Sequence, residues 1–301
     1  MASGEKETAD MEFRTVIDIP RSPFAIEPCQ QMLFVGSCFA DSIGRRAREE
    51  KFRATVNPYG VMYNPASVLH TLERLHQERA ESIRSKVAVI TLGTNHVYRE
   101  KATGEIVDNC QKRPQSLFSE EILTADECED YLRRCVRLLR SERPDVDIII
   151  TVSPIRYRKY GYHESQLSKA TLLMAVDRLI KAENDRLIAS AKEVTPLPEG
   201  PSGMLSYFPA YEIVLDELRD YRFYQPDMLH PSEQAVEYIW QRFGETFFSE
   251  RTLTFLKEWK PIREALAHRP FNADSEDYQA FLAATHEKAR LLAQRYEGLE
   301  L

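Results

Sequence analysis

Short β-rich runs alternate with longer amphipathic stretches along most of this chain, and that alternation restricts the fold more than any other feature. The runs are Met32 to Val35, Arg53 to Val56, Val87 to Leu92 and Asp147 to Val152. The amphipathic stretches are Ala40 to Glu50, Pro65 to Gln77, Ala125 to Ser141 and Ser165 to Lys192. Val87-Ala88-Val89-Ile90 and Ile148-Ile149-Ile150 are apolar at consecutive positions, as expected of strands covered on both faces. A βα repeat of this kind predicts a three-layer α/β/α fold with a central parallel sheet and right-handed crossovers. A last strand is expected near Tyr207-Phe208, ahead of Tyr211 to Leu218, and Pro196 to Gly203 reads as a loop.

In open sheets of this type, ligands bind beyond the carboxyl ends of the strands. Four exits lead to candidate site segments: Gly36-Ser37, Asn57-Pro58-Tyr59-Gly60, Gly93-Thr94-Asn95 and Ser153-Pro154. Ser37 stands between a strand and a helix, where unpaired amides and the helix dipole favour developing negative charge. That position suits a nucleophile, and it equally suits a helix cap. A serine hydroxyl is a weak nucleophile at neutral pH unless a base reaches it. Asp227-Met228-Leu229-His230 precedes Pro231-Ser232 and the helix-like run Glu233 to Phe243, with Pro231 expected at the first helical position. An imidazole there can take the serine proton while the carboxylate fixes its tautomer.

Composition narrows the partners. The 301 residues carry 43% hydrophobic and 29% charged side chains and a formal charge of -7, which gives no basic footprint for nucleic acid. No apolar run approaches the roughly 18 residues of a membrane helix, and Met1 to Asp10 has no apolar core of a signal peptide. Five cysteines without regular spacing fit a reducing compartment, so a cytoplasmic location is expected. Cys38 and Cys110 adjoin site segments and read as thiol-sensitive positions or as small buried hydrophobes. His70 and His76 are six residues apart on a predicted helix, His163 stands alone, and none has metal-ligand spacing. Neither a Walker loop nor a dinucleotide glycine fingerprint occurs, so neither a metal nor a cofactor is expected.

Gly36-Ser37-Cys38-Phe39-Ala40, Ile90-Thr91-Leu92-Gly93-Thr94, Asn109-Cys110-Gln111-Lys112, Val152-Ser153-Pro154-Ile155-Arg156, Leu167-Ser168-Lys169-Ala170 and Asp220-Tyr221-Arg222-Phe223-Tyr224 occur in that order. Together they resemble the GSCFA family, which is placed among the SGNH (GDSL-like) hydrolases, from about Phe13 to about Phe248. The resemblance implies a flavodoxin-like SGNH fold and a serine esterase that removes a small acyl group, such as acetyl, from a carbohydrate or related metabolite. It implies Ser37 as nucleophile, His230 as base and Asp227 as its orienter. The Ser37 amide, Gly60 and an asparagine are the implied oxyanion donors. For the asparagine, Asn109 lies in the family's own motif, while Asn95 mimics the superfamily's Gly-x-Asn-Asp with His96 in place of the aspartate. Gly60 also reads as a turn glycine with positive φ.

Arg156 and Lys169 lie in family motifs near the rim, where they can meet an anionic or sugar-bearing substrate or be solvated surface cations. Arg219, Asp220 and Arg222 read as an ion-pair cluster. Residues 1–12 read as a flexible tail, 13–250 as the SGNH-like domain, and 251–301 as a helical extension that packs on the domain or makes an oligomer contact. Two alternatives stay open: an acyltransferase using the same residues, and a catalytically silent ligand-binding module.

Overall fold

The computed structural model describes residues 14–108, 110, 113–191, 203–272 and 274–301, with the backbone only for 186–191. The expected tail 1–12, Asn109 and nearly all of the Pro196–Gly203 loop lie outside these residues. The chain opens with β1 (Gln31–Gly36), α1 (Cys38–Glu49), β2 (Arg53–Val56), α2 (Pro65–Gln77) and β3 (Val87–Leu92). It continues through β4 (His96–Glu100), β5 (Ile106–Val107), β6 (Phe118–Ile122), α3 (Ala125–Glu142), β7 (Asp147–Val152), α4 (Tyr162–Ala191) and β8 (Leu205–Tyr207). A short α5 (Ala210–Glu212) runs into a π-helical turn, Ile213–Glu217, before α6 (Glu233–Phe247), α7 (Glu250–Ala267) and α8 (Glu276–Arg295).

The main sheet is parallel throughout, in the order β2-β1-β3-β7-β8. From β1 the chain steps outward to β2, then returns across β1 to β3, which makes the β1/β3 boundary the switch point where doubly wound sheets bind ligands. Strand periodicity divides the core. Leu33, Val35, Ile90 and Ile150 pack under α2, α3 and α4, whereas Met32, Phe34, Val89 and Ile149 pack against α1 and α6. The consecutive apolar positions read from the sequence are these two faces.

β4, β5 and β6 form a second, antiparallel sheet in the order β5-β4-β6, which differs from the sequence reading. The reason is physical. His96–Glu100 and Phe118–Ile122 are short, mixed in polarity and covered on one side, so they lack the apolar run that marked the central strands. This sheet hangs from the β3 exit, and Leu123 returns to it by donating its N–H to the Asn95 carbonyl at 2.9 Å.

At the opposite side, α7 and α8 enclose Phe255, Trp259, Ile262, Leu292 and Tyr296 together with Cys29. Trp259 Nε1 donates to the Glu49 carbonyl at 2.9 Å, Thr252 Oγ1 donates to the Ile26 carbonyl at 2.7 Å, and Arg263 pairs with Glu50. These bonds fasten α7 to the segment that leads into β1 and to the end of α1, and α8 packs on α7. Among the described residues no helix is long and apolar enough to cross a membrane.

Candidate active site

The β1–α1 turn is built around Gly36 and Ser37. Gly36 has φ +139°, and a Cβ there would lie 2.0 Å from the Thr91 carbonyl oxygen, so only glycine lets β1 pair with β3 at this point. Ser37 follows as the N-cap of α1, its Oγ accepting from the Phe39 N–H at 3.3 Å. The same Oγ shares a 2.9 Å hydrogen bond with Thr91 Oγ1, and the side chain is buried. From the β2 exit, Asn57 Oδ1 accepts the Gly36 N–H at 2.8 Å while its Nδ2 donates to Asp41 Oδ1 at 2.7 Å. Asn57 thus clamps the turn from outside the pair of strands that make it.

The loop before α6 closes on itself. Tyr224 and Pro231 form an antiparallel bridge, the Gln225 N–H donates to the His230 carbonyl at 2.7 Å, and Met228 at the tip has φ +59°. Within this loop Asp227 Oδ2 lies 2.6 Å from His230 Nδ1, and Asp227 Oδ1 accepts the Leu229 and His230 amides at 2.8 and 3.0 Å. The His230 and Leu229 amides, and then the imidazole, hold the Asp227 carboxyl at a pKa of about 2, below the ordinary range. Pro231 is not the first helical residue: it belongs to the bridge, and Ser232 caps α6 by accepting the Ala235 N–H at 3.2 Å.

A series of contacts joins the two loops. A Cβ at Gly93 would sit 3.4 Å from Ser37 Cβ, and the Gly93 carbonyl accepts from Lys169 Nζ at 2.7 Å. Lys169 Nζ also donates to the Ser153 carbonyl at 2.7 Å. Three residues on, the Arg156 N–H donates to the Leu229 carbonyl at 3.0 Å, next to His230. Lys169 is therefore no solvated surface cation: it is 2% exposed, and its amine is committed to two strand exits. Burial brings its pKa down to about 7. Arg156 remains at the surface, its Nη1 donating to the Met228 carbonyl at 3.1 Å.

The described oxyanion candidates each have a carbonyl acceptor in this structure. The Ser37 N–H donates to the Thr91 carbonyl at 3.0 Å as the last rung between β1 and β3. The Gly60 N–H donates to the Asn57 carbonyl at 2.9 Å, and Gly60 has the φ of +95° of a turn glycine. Asn95 Nδ2 donates to the Leu123 carbonyl at 2.7 Å, which ties the two ends of the antiparallel sheet. Asn109 lies outside the described residues. His96, in the aspartate position of the superfamily pattern, begins β4 with its ring stacked 3.8 Å from that of Tyr160.

Several residues in the site were not singled out by sequence reasoning. Thr91 is the partner of Ser37, and a threonine inside the otherwise apolar run Val87–Leu92 is the signal that marks it. Tyr63 covers the turn, with its Oη 3.5 Å from Cys38 Sγ, while its own carbonyl accepts the Gly93 and Thr94 amides at 2.8 and 2.9 Å. Ser168 Oγ accepts the Asn95 N–H at 3.0 Å, fixing the β3 exit to α4. Cys38 and Cys110 are half-buried, whereas Cys29, Cys128 and Cys135 are buried; all five are free thiols. Among the described residues no group of three or more His, Cys, Asp or Glu could hold a metal ion.

A doubly wound α/β domain with a serine at the β1 exit and an Asp–His pair at the loop before α6 defines the class of this protein. The GSCFA family model matches residues 31–84 and 75–243, and the model of the GSCFA C-terminal domain matches 259–301. The chain belongs to the GSCFA family. No curated protein matches its sequence. Among solved structures it is similar to an acetyl esterase mutant with acetate ion, at 10% identity over 75% of this chain and 98% of that one, with a TM-score of 0.40. An acetylxylan esterase from Geobacillus stearothermophilus matches at 14% identity over 75% and 98%, TM-score 0.39. A carbohydrate esterase family 3 protein from Talaromyces cellulolyticus matches at 9% identity over 75% and 98%, TM-score 0.36. At these scores the likeness carries no argument about this chain.

Proposed function

We propose that this protein is a serine esterase that cleaves a small acyl ester, such as an acetyl ester of a carbohydrate or related metabolite. The observation that carries the reading is the 2.6 Å bond between Asp227 and His230 Nδ1, which orients the ring and leaves Nε2 as the base. Ser37 Oγ attacks the ester carbonyl, and His230 Nε2 takes its proton. The tetrahedral oxyanion collapses, His230 returns the proton to the leaving alcohol, and water then hydrolyses the acyl-enzyme by the same route.

Ser37 Oγ rests on Thr91 and is hydrogen-bonded there rather than to His230. In this proposal the Ser37 hydroxyl turns its proton from Thr91 towards the imidazole before it attacks. The amino end of α1 supplies a favourable field for the oxyanion. The Ser37 amide, Gly60 and Asn109, with Asn95 as the alternative to Asn109, are the donors of this proposal, and the first two must release Thr91 and Asn57 to serve. The five free cysteines support a reducing, cytoplasmic setting.

An acyltransferase uses the same residues with an alcohol in place of water. Turnover of 4-nitrophenyl acetate with and without an added polyol acceptor separates the two: free acetate alone identifies a hydrolase, and an acetylated polyol identifies a transferase. Absence of ester cleavage, with a ligand still bound by a Ser37→Ala variant, would instead identify a binding module.

A further inference from the structure

A cleft of about 310 Å³ beside the His230 loop is not used by the steps above. Its walls include Arg156, Tyr211, Val214, Leu218 and Tyr224. The π-helical turn at Ile213–Glu217 provides the apolar side, an irregularity that recurs at functional sites. Arg156 provides the charge. Its guanidinium carbon lies 4.3 Å from the centre of the Tyr162 ring, 5.4 Å from Tyr224 and 5.9 Å from Tyr221. Among the described residues no carboxylate pairs with it. Asp220 also reaches the cleft, but that carboxylate caps the Arg222 N–H at 2.9 Å and lies 3.5 Å from Arg222 Nε. Arg219 adds a second positive group to the lining.

A guanidinium held among aromatic rings, with one Nη1 bond to a carbonyl and the rest of its fork unspent among the described residues, matches an oxyanion in two-point geometry. The orientation follows from the neighbouring loop. Arg156 holds the carbonyls of Met228 and Leu229, the two residues before His230. In the esterase reading His230 protonates the leaving oxygen, so a cleft against this loop would take the alcohol half of the ester.

We propose that the cleft binds the alcohol half of the substrate and that Arg156 grips a carboxylate or phosphate on it, so the substrate is an acyl ester of an anionic alcohol. This rests on the esterase reading. Hydrolysis of such an ester consumes one water and releases the carboxylic acid and the anionic alcohol.

The test compares kcat/KM for 4-acetoxybenzoate, 4-acetoxyphenyl phosphate and the neutral methyl 4-acetoxybenzoate, each divided by its rate of hydroxide hydrolysis. The parent protein is expected to prefer at least one anionic ester, the two arms telling carboxylate from phosphate. Arg156→Gln is expected to reduce that preference by about tenfold to a hundredfold, the range for a charge-assisted hydrogen bond. Preference for the neutral ester, or a preference unchanged in Arg156→Gln, overturns the proposal. If no ester is cleaved, 4-nitrophenyl acetate included, the esterase reading has failed and binding decides the cleft separately. Titration of 4-hydroxybenzoate and 4-hydroxyphenyl phosphate into full-length Ser37→Ala, with and without Arg156→Gln, is then expected to show affinity that depends on Arg156. Equal affinity, or none in either protein, overturns it.

Discussion

Lys169→Met separates the work of a buried amine from that of an ordinary surface lysine. The parent side chain is 2% exposed and its Nζ donates to Gly93 O and Ser153 O, each at 2.7 Å. A neutral amine has two N–H groups, enough for both carbonyls, so deprotonation leaves neither acceptor orphaned. Burial lowers the pKa from 10.5 to about 7, while the unfolded chain keeps the ordinary value. Between those limits the unfolded state binds more protons than the folded state, so stability rises with pH. Below about pH 7 both states are protonated and the contribution is constant. At about 1.4 kcal/mol per pH unit, the parent gains about 4 kcal/mol between pH 7 and pH 10 that the methionine variant does not. Groups elsewhere titrate equally in both proteins and cancel in the difference; the nearby Tyr211 phenol is itself pushed upward by burial. Urea unfolding of both proteins at pH 6, 7, 8, 9 and 10 reads the difference directly. A difference that stays flat from pH 7 to 10 would show that the amine is charged in the fold and would refute the argument. The variant is also expected to react more slowly with serine-directed reagents, because the Gly93 and Ser153 exits lose their common tie.

Other expected outcomes concern the site and its frame. Asp227→Asn leaves the loop a side-chain oxygen for the two amides but removes the charge that orients His230, so acylation by 4-nitrophenyl acetate should fall less than in His230→Ala; equal, undiminished rates in both would end the triad reading. Asn57→Ala strips the acceptor from the buried Gly36 N–H and places alanine at φ +40°, which should destabilise the protein by about 1–3 kcal/mol in a urea melt and slow labelling of Ser37. Trp259→Ala should cost about 3–5 kcal/mol within a single unfolding transition; a separate early transition would show that α7 and α8 unfold independently of the sheet.

The central strands and the helices between them are legible in the sequence because both signals are local: consecutive apolar residues for doubly covered strands, and helical periodicity between them. The Asp227–His230 pair is legible for the same reason, since the partners stand three positions apart on one loop. Lys169 is a different case. A lysine four residues after Ser165 on a helix face reads as solvent-exposed, and only the approach of the β3 and β7 exits gives its amine two carbonyls to meet. The oxyanion donors depend on register too: the Ser37 amide is engaged because Gly36 pairs with Thr91, a match 55 positions apart that no local pattern encodes. The β5-β4-β6 sheet has no local signature because its strands are short and half-polar, and a bridge to Tyr224 keeps Pro231 out of α6.

The most direct measurement is the intact mass of the protein after incubation with a fluorophosphonate, alongside the Ser37→Ala and His230→Ala variants. The reagent phosphonylates an activated serine without requiring the natural substrate. A single adduct on the parent, mapped by peptide mass to Ser37 and absent from both variants, is the expected result. An unmodified parent, or an adduct at any other residue, would contradict the proposal that Ser37 and His230 form a working nucleophile and base.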